Sequence, residues 1–303
     1  MRVCLFVRVC TLQGIQNYIN LQYVAGRRLG IVLEDFKIYS KQARELKREP
    51  VAIQLEPYAQ ACLNLMGRSQ NATLLQGKII PDVDAFWKRN ENAAVPNPGD
   101  IDAFRGCTMR LSLVYEDYEK GADLFVKYGF DLMKHYPGVY SCMESIFSGG
   151  MCCFEMAKKK STKVKYRKQA EKAYKIVKVW CKNGNPNTQH YKSLFNAQRS
   201  ILRKNHRDAK RFFRQATTIS ARSGFVHDAA ISSEIYGKFL TSICDDPQGG
   251  LYHIGKAVEF YAEWGAEKKV EILMEKYPGI DSSTTTADRT PSSSFLTPAP
   301  KQN

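Results

Sequence analysis

Residues 209–220 read AKRFFRQATTIS, residues 256–264 read KAVEFYAEW and residues 268–277 read KKVEILMEKY. In the first, Ala209 is followed by Phe212, Phe213, Ala216 and Ile219, a spacing that returns to one side of a 3.6-residue turn. Ala257, Phe260, Tyr261 and Trp264 follow the same rule, and so do Val270, Leu273, Met274 and Tyr277. A methyl group beside a ring lets two helix axes approach while the ring fills the groove between them. The stretch from Ser193 to Tyr277 therefore specifies stacked helical hairpins. The expected fold is all-α: an irregular tetratricopeptide-like helical-hairpin solenoid.

Working outward, the small-then-aromatic helices align on Ala122, Ala170, Ala209 and Ala257. Their separations alternate long, short, long and average about 45 residues, wider than the about 34 of a standard tetratricopeptide repeat. HYPG at 135–138 and KYPG at 276–279 echo each other at helix ends. This divides the chain into an uncertain helical start over 1–30, helical hairpins with two irregular loops over 31–136, tetratricopeptide-like repeats over 137–280, and a tail over 281–303. The tail is rich in Ser, Thr and Pro, too poor in bulky residues to offset ordering, and is expected to be disordered. Thr290-Pro291 and Thr297-Pro298 are candidate proline-directed phosphorylation sites, with an inert tail as the plain alternative.

Within 31–136, Leu33, Phe36, Tyr39, Ala43 and Leu46 form one stripe, with breaks expected near Gly30 and at Pro50. QLEPYAQACLNLMG ends on a glycine suited to close a helix. GRSQNATLLQGKIIPD and NENAAVPNPGD read as loops, with Asp82 or Asp84 starting the helix between them. Ser141 and Glu144 have the spacing of a capping box. On the basic helix that follows, Tyr166, Ala170, Ala173, Tyr174, Val177 and Cys181 form the apolar stripe, and Asn185 or Asn187 caps what comes next.

The chain has 303 residues, is 44% hydrophobic and carries a formal net charge of +15, so it can build a core and favours acidic partners. Nine cysteines without a C-x-x-C pair indicate reduced, mostly buried thiols in a cytoplasmic protein, where the sequon at Asn71 stays idle. Arg8 interrupts the apolar start after a short run and no small-x-small cleavage site follows, which argues against a signal peptide. No run approaches the roughly 18 apolar residues of a membrane-spanning helix.

Few motifs carry chemistry. GLYHIGK at 250–256 fits seven positions of a phosphate-binding loop, but Ala257 stands where Ser or Thr would hold magnesium and no strand precedes it. It reads as a glycine turn between helices. His135, His190, His206, His227 and His253 show no metal-ligand spacing. His227-Asp228 could be a base and its orienting acid, yet neighbours on a helix point to different faces. Cys152 and Cys153 diverge for the same reason and read as core thiols. No catalytic residue, cofactor or metal set is expected. A polar cavity gathering His and carboxylates between 138 and 280 would overturn that expectation.

The basic helices over 158–182 and 199–222 interleave lysine and arginine with rings, which suits phosphates or RNA bases. Those rings share the alanine stripe and are committed to the core, so a solvated face or a groove for an acidic partner helix is the favoured reading.

One wider resemblance follows from Asn187, His190 and Tyr191, the A...F..A...A...GF.H.AA...E..G.F run over 209–239, and Y..WGA..K...L...YP over 261–278. NLMG at 64–67 and YEKGADL at 118–124 add to it. The chain resembles the helical region downstream of the ATPase module in large signalling proteins. Those proteins join a serine/threonine kinase-like domain, a predicted AAA-type ATPase, tetratricopeptide-like helices and often a sensor histidine kinase or cyclase. The kinase, ATPase and cyclase signatures are missing here, so the resemblance implies a non-catalytic piece or relative. It would be a scaffold or regulatory module for protein–protein interaction, with an acidic segment or another signalling module as partner. Tyr118, Tyr191, Lys192, Arg199, Arg203 and His227 are the expected contact residues. The alternatives are a basic module binding nucleic acid or an anionic surface, and a small enzyme whose site leaves no trace in spacing.

Overall fold

The computed structural model describes residues 14, 17–92, 98–135, 139–159 and 163–280. The expected tail over 281–303 and most of the first sixteen residues lie outside these. Every regular element among the described residues is helical, and no strand occurs among them.

The first break comes at Gly26, not Gly30. Gly26 takes φ +76 between α1 (17–24) and α2 (Leu29–Glu45), while Gly30 lies inside α2. The α2 stripe turns Leu29, Val32, Leu33, Phe36 and Ala43 inward and leaves Leu46 exposed past the helix end. Pro50 stands in the first turn of α3 (Glu49–Leu65), where its missing N–H costs nothing, and Gly67 closes α3 at φ +73. The loop beyond is pinned by two buried amides of α3. Gln60 Oε1 accepts from the Ile79 and Ile80 N–H groups at 2.9 and 3.2 Å. Asn64 Nδ2 donates to the carbonyls of Asn71, Ala72 and Leu74. Asp82 Oδ1 then caps α4 (Val83–Glu91), accepting from Asp84 and Ala85 N–H.

In α5 (Pro98–Val114) the end of the expected second loop is already helical. After it come α6 (Tyr118–Tyr128), the short α7 (Asp131–His135) and α8 (Tyr140–Met156). The expected capping box does not form. Val139 is the N-cap residue of α8, no side chain caps it, and Glu144 is drawn into the core by Arg110 instead. Gly149 lies against Phe125 and Gly150 against Phe195, which lets α8 sit between α6 and α10. α9 (Lys163–Lys182) buries Tyr166, Ala170, Ala173, Val177 and Cys181, and Tyr174 is half-buried. Asn185 Oδ1 accepts from Asn187 N–H to start the 3-10 turn Pro186–Thr188.

The last five helices run in series: α10 (Gln189–Leu202), α11 (His206–Arg222), α12 (Val226–Ile243), α13 (Pro247–Trp264) and α14 (Glu267–Lys276). Each packs on its neighbour in sequence, and α12 lies closest to α13. The reason is glycine. A Cβ on Gly237 would stand 2.7 Å from the Gly250 carbonyl, so the two backbones nearly touch. Residues 250–256, expected as a turn, are thus interior to α13, and the break falls before Pro247. α14 also returns to α3, where the Cβ of Lys268 comes within 3.4 Å of the Cβ position at Gly67.

Candidate functional site

The expected contact residues do not form one surface. Tyr191 is fully buried, stacked on Phe147 with centroids 4.1 Å apart, and His227 is buried against Trp264. Tyr118 is half-buried against the core, and Lys192 is half-buried on α10. Arg199 lies 3.9 Å over the Tyr174 ring and donates to Glu171 at 3.0 and 3.1 Å. Only Arg203, just past α10, is open to solvent among the six.

The interior holds something the residue spacing did not announce. Arg110 on α5 is 1% exposed; its Nε donates to Glu144 Oε1 of α8 at 2.6 Å and its Nη1 to Asp228 Oδ1 of α12 at 3.0 Å. His190 Nε2 of α10 lies 2.9 Å from Asp228 Oδ2, with the ring N–H donating to the carboxylate. His227 Nε2 is 3.5 Å from the same oxygen, so the two neighbours expected to diverge share one site. Ser148 Oγ donates to Glu144 Oε1 at 2.8 Å. Three helices that are distant in sequence, α5, α8 and α12, are thus joined through one guanidinium, and α10 joins them through Asp228. A fork of fixed N–H donors suits this, because it reaches two carboxylates at once.

Burial opposes ionisation of Asp228, yet its partners, Arg110 and the His190 N–H among them, hold its carboxyl well below the usual carboxylate range. Burial keeps the Glu144 carboxyl above its ordinary value despite Arg110 and Ser148. Burial also pushes the His227 imidazole down to about 3, so that it is neutral at pH 7.

A second network ties the end of the chain to the middle. Glu234 of α12 accepts from Lys269 of α14 at 2.7 Å, from Lys238, and from the Tyr261 hydroxyl at 2.8 Å. Lys238 also meets Glu116 at 2.7 Å. Burial would raise the Glu234 carboxyl, but Lys269 and Lys238 bring it down to about 2. Glu234 and Lys269 are buried, Lys238 and Glu116 half-buried, and their matched charges fix the relative position of helices.

A partly enclosed cavity of about 220 Å³ lies among α1, α3, α5 and α8, lined in part by Asn20, Tyr58, Asp102, Glu144 and Ser145. None of His190, His227 and Asp228 lines it. Of its carboxylates, only Glu144 falls between 138 and 280. Among the described residues no group of three or more His, Cys, Asp and Glu side chains is arranged to hold a metal ion. No helix among them is long and apolar enough to cross a membrane. Cys62, Cys107, Cys142, Cys152, Cys153 and Cys181 are buried cysteines outside any disulfide, and Cys244 is half-buried.

Comparison with protein-family models, with curated proteins and with solved structures gives no match.

Proposed function

We propose that the protein is a non-catalytic, tetratricopeptide-like helical scaffold or regulatory module of the cytoplasm that binds an acidic segment of a protein partner. On this reading it is a relative, or a piece, of the helical region of ATPase-containing signalling proteins. The observation that carries the reading is the division of α9 between its two sides. Lys168, Lys175, Lys178 and Lys182 are exposed on one face. The opposite face, with Tyr166, Ala170, Ala173 and Val177, is buried. The rings of the basic helices are engaged: Phe213 stacks on Tyr236, Phe212 lies under Arg211, and Tyr174 lies under Arg199. Charge is available to a partner while aromatic faces are not, which suits an acidic peptide better than unstacked bases. The serial packing of α10 to α14 supports the solenoid part of the proposal.

The second reading, a nucleic-acid or anionic-surface binder, draws on the same exposed lysines. Titration of the full chain with a labelled acidic helical peptide, an RNA duplex and phosphatidylserine vesicles over a salt series separates the two. Peptide binding that survives moderate salt and falls in Lys168→Glu/Lys175→Glu supports the scaffold. Binding to RNA or vesicles alone, with steep loss on adding salt, refutes it. ATP hydrolysis that follows the purified chain and is lost on unfolding it would refute the non-catalytic part.

A further inference from the structure

The loop over 68–82 and helices α4, α5 and α6 surround a second cavity, of about 700 Å³. That is inside the range of about 300–1,000 Å³ usual for small-ligand sites. Two properties of its wall are independent of each other. The first is hydrocarbon. Leu75 and Phe104 are buried, Val83, Trp87, Ile101 and Leu124 are half-buried, and Leu74 is 37% exposed. The second is charge. Five charged side chains line the cavity: Arg105, Lys120, Lys127, Glu91 and Asp123. Asp123 is answered by Lys165 at 2.7 Å, and Arg105 by Asp102 at 3.6 Å, its guanidinium laid 3.6 Å over the Tyr128 ring. Lys120 and Lys127 have no carboxylate partner among the described residues. Lys120 Nζ donates to the Thr73 carbonyl at 3.1 Å, and Lys127 Nζ lies 4.9 Å from the centroid of the Tyr128 ring. Against these two the wall sets only Glu91, which is exposed, so it carries one cation in excess.

We infer that this cavity binds a monoanionic amphiphile, a medium-chain carboxylate. Its chain takes the apolar wall out of water. Its carboxylate accepts from Lys120, whose ammonium carries three N–H donors, gives one to Thr73 and is held in place by it. Lys127 stands two turns further along α6, about 10 Å away along the axis, and adds its charge to the field at the head group. An alcohol of the same length brings the chain without the charge. Acetate brings the charge without the chain, and an alkyl quaternary ammonium brings the wrong sign. An acidic peptide brings more carboxylates than the wall has free cations, so this site stands or falls apart from the exposed lysines of α9.

Isothermal titration of the full chain with octanoate below its micelle concentration tests the site, with octan-1-ol, octyltrimethylammonium and acetate as controls. Octanoate is expected to bind saturably and at least about tenfold tighter than any control. Lys120→Met keeps an apolar stem against the wall and removes the charge. It should weaken octanoate by about tenfold and leave octan-1-ol unchanged, a split that a general loosening of the fold would not give. Leu74→Glu, at an exposed position, sets a carboxylate beside the cavity and should weaken octanoate by about tenfold or more. Both variants are compared at a wild-type circular dichroism spectrum. No saturable binding of octanoate to the wild-type chain overturns the inference. So does binding of octan-1-ol or the quaternary ammonium as tight as octanoate, or unchanged octanoate affinity in both folded variants.

Discussion

Arg110 and Asp228 are 118 residues apart in sequence and 3.0 Å apart in the fold, both all but inaccessible to water. Removing the guanidinium leaves Glu144 and Asp228 buried without their cation. A shape-preserving Arg110→Met should lower unfolding free energy by about 3–5 kcal/mol, the range for breaking a buried pair from one side. Urea denaturation of the variant against the wild type measures it. A loss under about 1 kcal/mol would show that the network adds nothing net.

Acid should destabilise the fold before the carboxylates titrate. The folded His227 imidazole sits at about 3 against an ordinary value of 6.5, so between these the unfolded chain binds a proton that the folded chain does not. Its contribution is whole above pH 6.5 and is lost as the pH falls toward 3. The slope is about 1.4 kcal/mol per pH unit. The depressed carboxyls of Asp228 and Glu234 act in the same sense lower down, their contribution being lost as pH falls below the ordinary carboxylate range. The raised Glu144 carboxyl acts in the opposite sense and favours the folded state on the acid side. Denaturation curves from pH 7 to about pH 5 should therefore be steeper for the wild type than for His227→Gln. Parallel curves would contradict the assignment.

Gly26 and Gly224 share almost the same backbone, φ +76 and φ +77, but not the same surroundings. A Cβ on Gly26 would fall 1.9 Å from His227 Nδ1, whereas Gly224 has nothing within 4 Å. Both alanine variants bear the left-handed cost of roughly 1–2 kcal/mol. Gly26→Ala should lose about 1–3 kcal/mol more, the toll of overpacking. Thermal unfolding of the two side by side gives the difference, and equal losses would mean that His227 yields freely.

Gln60 holds the loop over 68–82 by accepting from two backbone N–H groups. Gln60→Leu leaves those groups without their acceptor and should cost about 1–3 kcal/mol. Limited proteolysis should then cut within 68–82 faster than in the wild type, and an unchanged digestion pattern would argue that the loop is held by its apolar contacts alone.

Helix identity was readable because period 3.6 is local: the stripes through Phe213, Tyr166 and Tyr261 each declare their buried side within a few turns. Long-range charge pairing leaves no such mark. Ser141 and Glu144 have the spacing of a cap whether or not they cap, and what decides is Arg110, 34 residues earlier, competing for the carboxylate. His227 and Asp228 read as diverging because adjacency on a helix says nothing of a guanidinium arriving from α5. GLYHIGK looked like a turn because its Gly250 and Gly255 lie close to Gly249. In the fold, Gly237 and Gly250 serve close helix contact instead. The polar cavity was illegible altogether, being built from four helices.

The meeting of α14 with α3, and of Gly265 with the Leu29 backbone at 3.7 Å from its Cβ position, changes what kind of object the chain is. A ladder of repeats can shed rungs from one end with little notice at the other. Here α14 shares a seam with α3 and the start of α2, so unseating α14 should loosen α2 and α3 as well, and the described body should come apart in one step rather than fray.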